Sequence, residues 1–248
     1  LKQQYFFSSA SLQDLLNAFV KEHGEKFELF PEYNVIQLND THPVVAIPEM
    51  MRLLIDVYKL GWDEAYSIVE KTFAYTNHTI LSEALEKWPI STFKELLPRV
   101  YQIIEEMHRR FSIRLQESFP EDYARQNRMA IISNGMVFMA HLAIATCFSV
   151  NGVAALHTEI LKDKELKDWS DFFPKKFNNK TNGVTQRRWL LSSNPRLSKF
   201  ISERIGDGWQ KDLSLLKGLE KFVNDDASIK ELIAIKQKNK EDFAQYLK

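Results

Sequence analysis

Cysteine is almost missing from the chain: Cys147 stands alone among 248 residues, so no intrachain disulfide can form, which agrees with a reducing, cytoplasmic setting. Net charge is missing too, because Lys plus Arg and Asp plus Glu both number 33. That balance excludes a nucleic-acid or anionic-membrane partner recruited by bulk electrostatics, while leaving room for a local basic pocket. No apolar run is long enough to cross a bilayer. With 8 Gly, 8 Pro and no linker, repeat or low-complexity tract, residues 1–248 are expected to form one domain. The opening LKQQYFF starts mid-pattern at Leu1 without Met or signal peptide, as expected of a piece of a longer chain.

Several chemical signatures are absent as well. There is no GxGxxG, Walker loop or GxSxG, which leaves dinucleotide, nucleoside-triphosphate and serine-hydrolase readings without local support. The six histidines are scattered, with no HxxxH, HxH or Cys pair, so a metal site built on Asp40, His42, His78 or His157 is disfavoured.

What remains is ordinary globular composition, 44% hydrophobic and 27% charged, with a largely helical pattern. SASLQDLLNAFVKEH predicts an amphipathic helix capped by Ser9 or Ser11. VIQL (35–38) predicts a short buried strand, AIPEMMRLLIDVYKL a helix with Pro48 in its first turn, and GWDEAYSIVEKTFAYT another helix. TFKELLPRVYQIIEEMHRRFSIRLQESF is long and periodic, with Pro98 marking a kink or a join of two helices. MAII (129–132) predicts a second strand, and MVFMAHLAIATCFSV an apolar helix closed by Asn151-Gly152. AALHTEILKD continues as helix, 171–182 as loop, and the chain ends in the amphipathic helix DASIKELIAIKQKNKEDFAQYLK. The fold class expected is helix-rich α/β, with short buried strands in a parallel sheet surrounded by helices.

Three polar clusters interrupt this pattern. Asn39, Asp40, Thr41 and His42 follow VIQL, where ligands of α/β sheets bind, although each residue is also a good turn or cap former. Asn77 and His78 close an apolar run, and an isolated His there is more often a cap than a catalyst. NNKTNGVTQRRW (178–189) combines amides, hydroxyls and two arginines, either as a surface loop or as a sugar or phosphate site.

The blocks QLNDTHPVVAIPEMMRLL, KTFAYTNHTILSEALEKWP, MAHLAIATCFSVNGVAALHTEILK, KFNNKTNGVTQRRWL, NPRLSKFISERIG and KQKNKEDFAQYLK strongly resemble the α-glucan phosphorylases that act on glycogen, starch and maltodextrin. The resemblance runs in order along the whole chain. It implies the later part of the N-terminal domain of a retaining GT-B glycosyltransferase. Such enzymes use inorganic phosphate to release glucose 1-phosphate from the non-reducing end of an α-1,4-glucan. It also implies pyridoxal phosphate as cofactor, used through its phosphate group, and a homodimeric parent. By matching motifs, Asp40 and His42 would line the glucan and glucose site, and His78 and Asn182 would bond the glucose 6-hydroxyl. Val150 would pack along the same pocket, and Trp189 would lie near the cofactor.

The family's glycine-rich segment, its Schiff-base lysine and its second domain are not in these residues, so the chain alone is expected to be inactive. Gln186 stands where many members carry proline, a mild change at a helix entry. Two other readings stay open: a non-catalytic carbohydrate-binding or scaffold module, and, least favoured, a metal-dependent enzyme using Asp40, His42 and His78.

Overall fold

Leu38, Tyr75, Val150 and Phe177 lie side by side across four parallel strands, and all four are buried. The computed structural model describes residues 1–81 and 85–248, which gather into two compact units, Leu1–Asn182 and Gly183–Lys248. Among the described residues the strands are β1 (Ile36–Asn39), β2 (Phe73–Thr76), β3 (Lys87–Pro89), β4 (Ile132–Ser133), β5 (Met136–Phe138), β6 (Ser149–Gly152) and β7 (Phe177–Asn179). The sheet that carries the buried row has the order β1-β2-β6-β7, and β3, β5 and β4 make a small antiparallel sheet.

Parallel neighbours need helical crossovers, and the first unit supplies them. Its helices are α1 (Lys2–His23), α2 (Phe30–Tyr33), α3 (Ala46–Arg52), α4 (Trp62–Thr72), α5 (Ile90–Leu96), α6 (Pro98–Ser118), α7 (Tyr123–Arg128), α8 (Met139–Thr146), α9 (Ala155–Ile160) and α10 (Lys167–Phe172). Their apolar faces share one core with the sheet, including Leu16, Phe30, Met50, Ile104 and Trp169. The second unit has its own small core of Phe200, Ile201 and Trp209, set by α11 (Pro195–Ile205) and flanked by α12 (Asp226–Tyr246).

The helix-rich α/β class holds, but most strands lie where helix or loop is expected. FAYT leaves the helix at Thr72, whose hydroxyl donates back to the Ile68 carbonyl at 2.8 Å, and becomes β2 because partners flank it on both sides. The apolar helix predicted over 136–150 shrinks to α8, with β5 before it and β6 after it. Asn151-Gly152 therefore ends a strand and caps no helix. The loop predicted over 171–182 contains β7 and the end of α10. A short apolar run does not distinguish strand from helix until its neighbours are known.

Smaller differences have local causes. Strand β4 covers only the end of MAII, and Asn134-Gly135 turns it into β5 with φ of 49° and 75°. Both residues take the left-handed conformation that tight hairpins require. Helix α1 starts at Lys2, so Ser9 is internal and buried, donating to Glu49 at 2.7 Å, and neither Ser9 nor Ser11 is a cap. Pro98 opens α6 as a separate helix after Leu97, which leaves the helical conformation with φ of −139° and ψ of 58°, a join and not a kink.

Candidate functional site

The sheet's second face carries polar side chains in register: Asn39, Thr76, Asn151 and Asn178 on successive strands. The Thr76 hydroxyl donates to Asn151 Oδ1 at 2.9 Å and accepts from Gln37 Nε2 at 2.7 Å. Asn178 Nδ2 donates to Ser149 Oγ at 2.8 Å. A row of amides and hydroxyls on a sheet face satisfies itself only partly, and leaves directional donors and acceptors at the strand ends.

Each strand hands over to its loop at the same edge. The Asp40 amide donates to the Thr76 carbonyl at 3.0 Å, carrying the β1–β2 ladder one residue further. Asp40 then adopts φ of 65°, a conformation Asp tolerates, and its Oδ1 accepts the Thr41 amide at 2.7 Å. On the next strand the Asn77 amide donates to the Asn151 carbonyl at 2.9 Å. Its buried side chain receives the Thr79 amide at 3.1 Å and donates to the Tyr75 hydroxyl at 3.2 Å. The Asn77 side chain thus fixes the turn that leaves His78 exposed, with Nε2 at 2.6 Å from Asn39 Oδ1.

Asn182 joins the same edge from β7, its amide donating to the Val153 carbonyl at 3.1 Å while its side chain stays exposed. His42 is exposed on the turn after β1, with Nδ1 at 3.7 Å from the Glu86 carboxylate. Val150 is fully buried between Tyr75 and Phe177, so it supports the rim from the apolar side of the sheet. Trp189 belongs to the second unit, where its indole is exposed. Among the described residues no group of three or more His, Cys, Asp or Glu side chains could hold a metal ion.

With this arrangement fixed, the comparison with known families is decisive: the family model described as carbohydrate phosphorylase matches residues 1–248. The chain belongs to the carbohydrate phosphorylase family. It is 49% identical over 247 residues to the glycogen phosphorylase of Bacillus subtilis (strain 168), covering 100% of this chain and 31% of that protein. Over 257 residues it is 47% identical to the liver form of glycogen phosphorylase from Homo sapiens and 48% identical to the muscle form from Oryctolagus cuniculus. In both comparisons all of this chain is covered but only 30% of the relative.

In this carbohydrate phosphorylase chain, two site features escape the linear sequence. Glu86 reads as one charge in an exposed EKWP run, yet its Oε1 accepts from Gln4 Nε2 at 2.7 Å and Trp88 Nε1 at 3.1 Å. Its Oε2 is buried without a hydrogen bond, on the side of the carboxylate that faces His42. The row of Asn39, Thr76, Asn151 and Asn178 was equally hidden, because it exists only through the strand pairing. For the row, the partial signal in the sequence was the run of hydrogen-bonding side chains after short apolar segments, while Glu86 had none.

Proposed function

We propose that the chain forms the glucose- and glucan-binding wall of an α-1,4-glucan phosphorylase, which releases glucose 1-phosphate from terminal α-1,4 bonds with inorganic phosphate. The observation that carries this reading is the polar edge of the parallel sheet. It presents His78 against Asn39 and anchors Asn182 at the end of β6. A neutral sugar offers little charge to grip, so its binding depends on dense, directional hydrogen bonds from held side chains. Asp40 and His42 supply further polar groups on the β1 side, with the Glu86 carboxylate 3.7 Å from His42 Nδ1. His78 and Asn182 are read as contacts of the glucose 6-hydroxyl, and Val150 as apolar support beneath them. Fixing the ring and its hydroxyls favours the oxocarbenium-like transition state of glycosyl transfer.

Pyridoxal phosphate is the cofactor this reading assigns to the longer protein. Lysines outside the first unit's core are solvent-exposed and none lies in the family's cofactor motif. The most buried, Lys176, donates to the Ile144 and Ala145 carbonyls at 3.1 and 3.2 Å. On this reading the covalent anchor lies outside these residues, and Trp189, whose indole is exposed, lies near the cofactor. The two units are read as parts of one N-terminal domain of a cytoplasmic homodimer.

Phosphorolysis tests the proposal. The full-length gene product, given maltooligosaccharide, phosphate and pyridoxal phosphate, is expected to form glucose 1-phosphate, and residues 1–248 alone are expected to form none. Glucan binding without phosphorolysis by the full-length product would favour the non-catalytic module instead.

A further inference from the structure

The imidazole of His157, in the first turn of α9, is the one histidine at this edge that the reading above leaves without a role. Its Nδ1 accepts the Val153 amide at 3.1 Å, which requires the neutral ring with its proton on Nε2. Nε2 is buried, makes no well-formed hydrogen bond, and faces the Thr79 backbone next to His78. Burial holds the His157 pKa below the ordinary histidine value, with the Thr79 backbone opposing and His78 adding to the depression. The Gly152–Val153 peptide whose N–H His157 holds accepts the Lys180 amide through its Gly152 carbonyl at 3.1 Å, and the next peptide along accepts the Asn182 amide through the Val153 carbonyl at 3.1 Å.

The packing around it leaves no slack. A Cβ built on Gly152 would lie 2.4 Å from Thr158 Oγ1 and 2.7 Å from His157 Nδ1, so only glycine lets α9 close on the end of β6. Thr158 Oγ1 in turn donates to Asn179 Oδ1 at 3.1 Å, and the Lys180 amide donates to the Gly152 carbonyl at 3.1 Å. The first turn of α9 therefore binds the β6 loop and the β7 loop together, while its histidine lies against the β2 loop.

We propose that His157 is a positioning residue that sets the spacing between His78 and Asn182, by fixing Val153 through its N–H on one side and backing the Thr79 turn on the other. The inference rests on the reading that His78 and Asn182 together hold the sugar. His157 does so without touching substrate.

Amide hydrogen exchange on the full-length gene product tests this. His157→Ala is expected to speed exchange in peptides covering residues 152–158 and 176–186 by about five- to tenfold, with α6 peptides unchanged. His157→Asn, whose Oδ1 can occupy the place of Nδ1, is expected to restore the protection. His157→Gln places its acceptor one bond further out and is expected not to restore it. Unchanged exchange in the Ala variant, or equal protection in the Asn and Gln variants, overturns the proposal. Where the Ala variant fails to fold, the Asn and Gln comparison decides. Failure of the functional reading has a separate signature: wild-type phosphorolysis in His78→Ala and Asn182→Ala, with the exchange pattern of His157 intact.

Discussion

His78 Nε2 lies 2.6 Å from Asn39 Oδ1, tying together the ends of two neighbouring parallel strands. With the ring neutral and the amide oxygen accepting, the histidine donates from Nε2, which makes Nδ1 the acceptor that the proposed function directs toward a sugar hydroxyl. Replacing either partner removes the same constraint. In the full-length product His78→Ala and Asn39→Ala are each expected to lower kcat/KM for maltooligosaccharide phosphorolysis, by about 1–3 kcal/mol of transition-state stabilisation. The double variant is expected to lose less than the sum, with a coupling of about 1 kcal/mol. Strictly additive losses would mean that the two side chains act independently.

Sequence and structure part company at the strands. Helices such as α1 and α6 are legible because ten or more residues repeat one apolar face. Strands of three or four residues carry no such repetition, and FAYT or SVNG becomes strand only when β1, β6 and β7 pair around it. The hairpin at Asn134-Gly135 was available in principle from its dipeptide. The polar runs after short apolar ones marked Asp40, His42 and His78 only as turn or cap formers, and it was the family resemblance that nominated them and Asn182 as site residues. Glu86 and His157 could not be nominated, since their partners Gln4 and Val153 become meaningful only through packing.

Glu86 is expected to matter for stability as well as for the site. Its carboxylate receives the Gln4 amide and the Trp88 indole, and thereby links α1 to β3 beneath His42. Glu86→Ala strands both donors in a largely buried setting, at an expected cost of about 1–3 kcal/mol in urea unfolding. Glu86→Gln keeps one acceptor oxygen and should cost less. A Glu86→Ala variant as stable as wild type would show that water replaces the carboxylate freely.

Among the described residues Glu49 is the most deeply buried acid, with a fully enclosed side chain that accepts Arg52 Nε and Nη2, both at 2.8 Å, and the Ser9 hydroxyl at 2.7 Å. It joins α1 to α3 through charge that was expensive to desolvate. Glu49→Ala is expected to destabilise by about 3 kcal/mol, because Ser9 is left buried and the cavity stays unfilled. Glu49→Met keeps most of the volume and is expected to cost less. Chemical denaturation of both variants distinguishes loss of the charge network from loss of packing.

Gln186 occupies a position whose backbone suits the proline common in the family, with φ of −61° and ψ of −29°. Its side chain does separate work, donating from Nε2 to the Gln210 carbonyl at 2.9 Å. Gln186→Pro loses that bond and gains from a stiffer unfolded chain, two effects of about 1 kcal/mol each and of opposite sign. The expected change in unfolding free energy is therefore within about 1 kcal/mol of zero. A large loss would show that the Gln210 contact dominates the second unit's packing.

Lys176 provides a pH test with a definite sign. Its ammonium is mostly buried over the Phe173 ring, 3.9 Å from the centroid, and donates to the last carbonyls of α8. Burial pushes its pKa down from 10.5 to about 8, against the attraction of Cys147 and Glu70. Below about pH 8 the lysine is charged in both folded and unfolded chains, and its burial penalty is constant. Between about 8 and 10.5 the unfolded chain holds a proton that the folded chain has released, so stability rises with pH in that window. The gain is bounded at about 3 kcal/mol by the size of the shift. Cys147, pushed up to about 12 by burial, acts in the opposite direction as pH rises above 9, because its thiol ionises first in the unfolded chain. Urea unfolding of wild type and Lys176→Met at pH 7.5 and pH 10 separates the two. The wild-type stability minus that of the variant is expected to increase at the higher pH, while a constant difference would place the Lys176 ammonium in contact with water.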